Sequence, residues 1–305
     1  MIQPSNNLSC LPFYDSIEEQ NARKWWVYNR IYPLFTPASF LLPFQILFHL
    51  DNPSQYVNPS IYNAKLYKKD GTLVADITDV FVIDNVAQYA SISIGDNNFI
   101  IAYNAQSLIT SHTFAEGQYY IRMEIFSGVQ YSTNLVLYSE VFTIVTDMSD
   151  YIKIEWWDIE DLVFDSGRIV YKNDGTRYKQ RLFLQGDIAK PEYLFEEENE
   201  DRDGYSFPVK QISEKKYKFN FLASEYLLDV MRFIRMADYI EITYNGKIYK
   251  PDSFLITPEW ENNGDVAKVA AEFETDTVVK KLGLGYLRPT GGDFNNDFND
   301  DFNNQ

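Results

Sequence analysis

The sequence predicts a mainly β protein with two β-rich domains, the second carrying one α-helix, and with extended N- and C-terminal arms. Aromatic residues make up 16% of the 305 residues, with 23 Tyr and 22 Phe, and such side chains favour pleated, partly buried surfaces. Short runs of strand-forming residues recur along most of the chain, separated by turn signals. The chain is also long for a single core, which favours two domains.

Residues 1–39 are predicted to form an N-terminal arm with a short helix. Ser16 and Glu19 have the spacing of a capping box, in which each side chain reaches a free backbone N–H at the start of a helix. The segment that follows, RKWWVYNRIYPLF, is strongly aromatic, with Pro33 near its end and Pro37 just after it. We expect this arm to pack against another surface.

Residues 40–147 are predicted to form an immunoglobulin-like β-sandwich. Asp70-Gly71 between two strand candidates is a hairpin signal, and about seven strands at this spacing are typical of a sandwich. In YYIRMEIF, four apolar residues alternate with charged ones and share one face: Tyr119, Ile121, Met123 and Ile125. The strand candidates are 44–50, 63–69, 72–77, 88–94, 98–103, 119–125 and 140–145.

Residues 151–283 follow a short linker, TDMSD, and are predicted to form a β-rich domain with one helix over 223–238. Ser224 is placed to cap that helix, and Asn245-Gly246 predicts a type I′ turn between two strands. The apolar stripe of the helix is Leu227, Val230, Met231 and Ile234. The strand candidates are 152–158, 167–172, 180–185, 215–221, the two flanking Asn245-Gly246, and 265–279.

Residues 284–305 form a C-terminal tail of different composition. Three Asp/Asn-rich repeats place Phe294, Phe298 and Phe302 at positions i, i+4 and i+8. Asp, Asn and Gly are poor helix formers, so the composition itself is typical of a disordered segment. We interpret the three rings as anchors that another subunit grips.

Charge and composition disfavour several classes of partner. The net charge is −17, from 44 acidic and 27 basic residues, whereas proteins that grip phosphate backbones usually show a basic patch. We therefore expect no direct, sequence-specific nucleic-acid binding and no affinity for anionic membranes. The most apolar stretch, residues 38–50, is too short to span a bilayer.

The sequence offers little catalytic chemistry. Its two histidines, His49 and His112, are far apart in the predicted sandwich, and its one cysteine, Cys10, has no evident base beside it. No P-loop, HExxH, GxSxG or dinucleotide motif occurs. We expect structural histidines, no metal or cofactor, and no enzymatic activity.

The most unusual charged stretch is EEENEDRDG, at residues 196–204. Counting from Asn199 as position 1 of a calcium loop puts Lys210 at position 12, where a bidentate Glu is required. We therefore predict no calcium site, and interpret the segment as an acidic loop that faces solvent or a basic partner. Its acids are Glu196, Glu197, Glu198, Glu200, Asp201 and Asp203.

Three segments of the second half, residues 151–158, 191–240 and 253–283, resemble a domain of structural proteins from tailed phages that infect gut Bacteroidota, including the crAss-like group. The resemblance lies in extended sequence texture and carries no catalytic residues. It implies a virion component of the tail, neck or baseplate.

From this resemblance we expect a subunit of a symmetric ring or collar, partnered by copies of itself and by other tail or neck proteins and located in the virion. The alternative is a host-surface glycan-binding module of the tail, with exposed aromatic rings as its platform. A third hypothesis, a tail-associated depolymerase, requires a cleft with two facing carboxylates.

Overall fold

The computed structural model describes residues 2–6, 9–14, 34–50, 60–82, 87–92, 98–103, 112–127, 133–160, 162–163, 169–171, 178–202, 204–260 and 266–281. The predicted N-terminal helix, the tail with Phe294, Phe298 and Phe302, and Asp203 lie outside these residues. The fold is mainly β, as predicted. The domain limits remain predictions.

Strands of the first half form two sheets. Their bounds are β1 (Ile2–Asn6), β2 (Phe13–Tyr14), β3 (Phe35–Pro37), β4 (Phe44–Leu50), β5 (Ser60–Lys68), β6 (Leu73–Asp76), β7 (Ala87–Ile92), β8 (Asn98–Tyr103), β9 (Gly117–Ser127), β10 (Thr133–Ser139) and β11 (Phe142–Val145). One sheet has the order β1-β4-β8-β7. The other has the order β2-β10-β9-β11-β3, and in addition β5 pairs with β9 and β6 pairs with β5.

The core of the first half is sandwich-like, with side chains of both sheets in one buried cluster. Phe44 of β4 lies 4.7 Å from Phe13 of β2, measured between ring centroids. The alternation predicted for β9 is confirmed, because Tyr119, Ile121, Met123 and Ile125 are all buried. The opposite face of β9 also buries Tyr120, whose ring stacks on Tyr67.

A short helix that sequence periodicity did not predict, α1 (Thr78–Val82), packs on β5. The Thr78 hydroxyl accepts a hydrogen bond from the backbone N–H of Ala64 at 3.0 Å. Val80 and Phe81 are buried, and Phe81 lies against Phe44. Five residues are too few to show a helical repeat, which explains why the sequence pattern missed it.

Strands of the second half form three further sheets, and none of the described strands pairs across residues 146–150. Their bounds are β12 (Tyr151–Trp157), β13 (Leu162–Val163), β14 (Ile169–Tyr171), β15 (Gln180–Gln185), β16 (Glu192–Arg202), β17 (Tyr205–Ser224), β18 (Tyr239–Tyr244), β19 (Lys247–Tyr249), β20 (Ser253–Glu259) and β21 (Val266–Lys281). The sheet orders are β15-β12-β18-β19, β13-β14 and β16-β17-β21-β20.

The predicted helix exists but is shorter than expected. It forms α2 (Glu225–Met231) and is followed by a 3-10 turn at Ile234–Met236. Ser224 caps it as predicted, accepting a hydrogen bond from the N–H of Leu227 at 3.3 Å. All four residues of the predicted apolar stripe are buried.

The predicted type I′ turn is also confirmed between β18 and β19. Asn245 and Gly246 both adopt positive φ, 48° and 74°, as the two central residues of that turn require.

The buried core continues from one half of the chain to the other. Cys10 and Leu11 belong to the same cluster as Trp156, Leu182 and Leu227. Residues 9–14 thus connect the cores of the two halves. Two regions lie beside this core, a buried polar junction and a projecting β structure.

Candidate functional site

Three strands extend together beyond the buried core and form what we call the β-arm: residues 192–202, 205–216 and 276–281. Tyr217, Phe273 and Thr275 are the last buried residues at its base. No side chain described within the β-arm is buried. At roughly 3.4 Å per residue, its central strand spans about 40 Å.

The acidic segment lies on a strand of the β-arm, so its prediction as a loop was wrong. Glu196, Glu197, Glu198, Glu200 and Asp201 all belong to β16, which pairs with β17 over its whole length. At the tip of the β-arm, Gly204 adopts a positive φ of 84°. In a sequence, a run of charged residues is typical of a solvated turn. The same pattern occurs in exposed edge strands, where the charges prevent uncontrolled pairing with other strands.

The strand geometry also bears on the calcium hypothesis. Asn199 and Asp201 lie in extended backbone opposite Pro208 and Ser206, whereas a calcium loop wraps its ligands around the ion. Lys210, which occupies the position of the required Glu, lies directly across from Glu198. Within the described ranges, no three His, Cys, Asp or Glu side chains gather as a metal site.

The acids of the β-arm have basic and polar neighbours on the adjacent strands. Gln211 donates a hydrogen bond from Nε2 to Glu197 at 2.6 Å. Lys215 donates to Asp276 at 2.9 Å, and the pKa of Asp276 is lowered by that hydrogen bond and by the charge of Lys215. These side chains are exposed, so the pairs hold the arm together only weakly.

The β-arm also exposes large apolar side chains. Tyr193 is 75% exposed, and Phe195 and Val278 are each 63% exposed. Phe195 pairs with Ser213, which pairs with Val278, so the two apolar side chains stand on one face of the sheet. The β-arm therefore offers apolar area that the monomer leaves in water.

The second region, the buried polar junction, lies inside the protein, unlike the exposed β-arm. The Cys10 N–H donates to the side-chain oxygen of Gln180 at 3.2 Å, and the Tyr178 hydroxyl donates to the same oxygen at 3.2 Å. The Tyr226 hydroxyl donates to the Ser9 carbonyl at 2.6 Å. These bonds link residues 9–10 to the second half of the chain.

Cys10 and Tyr178 are protonated within this junction. Burial raises the pKa of the Cys10 thiol far above its ordinary value, and burial likewise raises the pKa of Tyr178. A thiolate is the reactive form of cysteine, so burial holds Cys10 in its less reactive thiol form.

The junction is bordered by a buried ion cluster on β12 and β15. Arg181 donates from Nε to Glu155 at 2.8 Å, and Lys153 contacts the other carboxylate oxygen of Glu155 at 2.7 Å. Burial alone would raise the pKa of Glu155, but the two cations hold it below its ordinary value. Two polar atoms nearby, Trp156 Nε1 and Gln180 Nε2, are buried without a hydrogen-bond partner among the described residues.

His112 is the histidine whose side chain the structure describes. His112 Nε2 lies 2.9 Å from a carboxylate oxygen of Asp79 on α1, and its ring stacks on Phe114. The side chain of His49 lies outside the described part of the structure. A histidine held between a carboxylate and an aromatic ring is consistent with a structural role.

A groove of about 480 Å³ opens between Phe35 and the strands β15, β17 and β21. Its walls are largely apolar, with Leu184 and Phe221 among them. Glu259 is the one carboxylate among its described lining residues, so the facing carboxylate pair of a glycosidase is not built there.

No helix in the described part of the chain is long and apolar enough to cross a membrane. No protein-family model matches the sequence, and no curated protein matches it. Sequence reasoning singled out the acids of the β-arm but missed the arm itself and the junction. The only local signal for the arm was the apolar pair Val278-Val279 next to Lys280-Lys281.

Proposed function

We propose that the protein is a non-enzymatic structural subunit that assembles with copies of itself into a ring or collar in the tail, neck or baseplate of a tailed phage. The observation that carries self-assembly is the β-arm, which projects from the core with its apolar side chains in water. The phage setting rests on the resemblance of residues 151–158, 191–240 and 253–283 to virion structural proteins.

The exposed rings of the β-arm leave apolar area in water, and burying this area in a contact would be favourable. Tyr and Phe side chains each remove roughly 150–250 Å² from water when buried, and apolar area contributes about 25 cal/mol per Å². Covering Tyr193 and Phe195 in a neighbouring subunit would therefore stabilise an assembly by several kcal/mol before ordering costs. The monomer gains only a small part of this stabilisation, because both rings are mostly exposed.

Light scattering coupled to size-exclusion chromatography tests self-assembly directly. We expect the purified chain to form a discrete oligomer, and the variant Tyr193→Ser/Phe195→Ser to dissociate at concentrations where the parent stays assembled. The matched control is Ile159→Ser/Ile248→Ser, which removes two exposed apolar side chains outside the β-arm. A parent protein that stays monomeric at all accessible concentrations would contradict the proposal.

The C-terminal tail is proposed as a second contact, through Phe294, Phe298 and Phe302. Deleting residues 291–305 should weaken assembly and leave the monomer folded. Cross-linking mass spectrometry of intact particles would identify which copy or which other tail or neck protein the tail touches. A truncated chain that assembles as well as the full chain would remove the tail from the proposal.

A host-surface glycan-binding role is the second candidate, and one cluster favours it. Tyr239 is exposed and stacks on Trp157 with ring centroids 5.2 Å apart, and Lys179 lies 3.9 Å from the centre of the Trp157 ring. Exposed aromatic rings with a neighbouring cation suit the faces of sugar rings. Saturable binding on a glycan array that disappears in Tyr239→Ala would support this role.

A further inference from the structure

The β-arm has two open strand edges within the described part of the chain. β16 is the outer strand of its sheet along its whole length. On the other side, β20 pairs with β21 only as far as Ser253 opposite Glu274, and Asp252 accepts the N–H of Thr277. Beyond that point, residues 278–281 of β21 have a strand neighbour on one side only, namely β17.

The two edges carry opposite charge. The β16 edge presents consecutive acids, Glu196 to Glu198, and the β21 edge presents Lys280 and Lys281. All of these side chains are exposed. Two copies of the acidic edge would repel each other if paired directly, whereas an acidic edge beside a basic edge would attract.

The register of the sheet matches the two edges residue by residue. β16 and β21 both run antiparallel to β17, so they run parallel to each other. Across β17, Phe195 lies level with Val278, Glu197 with Lys280, and Glu198 with Lys281.

We propose that the β-arms of neighbouring copies pair head to tail, with the β16 edge of one copy parallel to residues 278–281 of the next. A copy placed beside its neighbour with no shift along the strands sets Phe195 against Val278. The same placement sets Glu197 against Lys280 and Glu198 against Lys281. Each pair then shares one face of a continuous sheet, which is the arrangement that stabilises cross-strand pairs.

This pairing rests on the proposed self-assembly and gives it a geometry. The contact joins two different surfaces, so every copy offers one free edge to the next. A contact between two different surfaces produces a ring when the rotation from one copy to the next closes, and a ring is the assembly that we propose. Backbone hydrogen bonds supply the contact, and charges and apolar pairs select the register.

Disulfide trapping tests the register. Phe195→Cys/Val278→Cys places the two thiols about 10 Å apart within one copy, since β17 lies between the strands. That separation exceeds the limit of about 7 Å for a disulfide, so oxidation should link different copies into a ladder on non-reducing gels. In the control Glu196→Cys/Val278→Cys the thiols point to opposite faces, and we expect no ladder. Cys10 is fully buried and does not interfere.

Charge reversal tests the head-to-tail rule. Glu197→Lys/Glu198→Lys and Lys280→Glu/Lys281→Glu should each raise the concentration needed for half-assembly by about tenfold or more, because attraction becomes repulsion at two cross-strand pairs. An equal mixture of the two variants should assemble again. One variant has two basic edges and the other has two acidic edges, so alternating copies attract each other at every contact. Circular dichroism matching the parent shows that each variant is folded.

The outcomes separate the two proposals. A ladder from the first cysteine pair alone, together with rescue on mixing, supports head-to-tail pairing. An oligomeric parent whose assembly is unaffected by Lys280→Glu/Lys281→Glu, or equal ladders from both cysteine pairs, overturns head-to-tail pairing and leaves self-assembly standing. A parent that is monomeric overturns self-assembly itself.

Discussion

Arg181 and Lys280 are both cations on β-strands, but the protein uses them in opposite ways. Arg181 is 8% exposed and is held by hydrogen bonds to Glu155, whereas Lys280 stands on an open edge of the β-arm. A buried charge must be paired where it lies, because removing it from water is costly. An exposed charge carries no such requirement, so it remains available to a neighbouring molecule. The buried ion cluster therefore stabilises the fold, whereas the β-arm keeps its charges exposed to solvent.

Breaking the buried ion cluster should have the largest effect on stability. We expect Arg181→Met to lower the free energy of unfolding by about 3 kcal/mol, the lower end of the range for a broken buried pair, because Lys153 still contacts Glu155. Urea denaturation measures this. The double variant Arg181→Met/Glu155→Leu should recover most of the loss, and a single variant as stable as the parent would refute the role given to Arg181.

Replacing a glycine by alanine should have a different effect on stability in the core and in the β-arm. A Cβ added at Gly186 would lie 2.6 Å from the carbonyl oxygen of Asn220, so Gly186→Ala should cost about 2 kcal/mol through overpacking. Gly204, at the tip of the β-arm, has open space around it but a φ of 84°, so Gly204→Ala should cost only about 1 kcal/mol of backbone strain. Thermal unfolding of the two variants side by side would show the difference, and equal losses would contradict it.

The pH dependence of stability should also arise in the buried cluster. Burial opposes ionisation of Glu155, but Arg181 and Lys153 lower its pKa below the ordinary 4.5. A carboxyl whose pKa is lower in the folded state stabilises the fold at higher pH, and this contribution is lost as the pH falls through the folded pKa. The stability advantage of the parent over Glu155→Gln should therefore shrink below about pH 4.5. An advantage that stays constant from pH 7 to pH 3 would contradict this assignment.

Changes in the β-arm should have the smallest effect on monomer stability. We expect Tyr193→Ser and Phe195→Ser each to alter the free energy of unfolding by less than about 0.5 kcal/mol when measured below the assembly concentration. Both side chains are mostly exposed, so little packing is lost. Losses above about 2 kcal/mol would mean that the arm supports the monomer core, and the contrast between the two regions would fail.

Much of the fold could be predicted because its signals are local. The alternation at Tyr119–Ile125, the cap at Ser224 and the turn at Asn245-Gly246 each depend on neighbours a few residues away, and each is confirmed. Other features were missed for physical reasons. A run of glutamates on an edge strand shows no buried face, so Glu196–Asp201 resembled a loop until pairing with β17 revealed a strand.

The sequence alone determined the β-rich class, the helix with its cap and stripe, and the acidity of residues 196–201. Only the tertiary structure decided which distant residues these elements contact. Cys10 meets Gln180 across 170 residues of chain, and Phe195 lies level with Val278 only because both strands register on Ser213 of β17. Periodicity and capping arise within a few residues, whereas contacts between distant segments depend on how the whole chain packs.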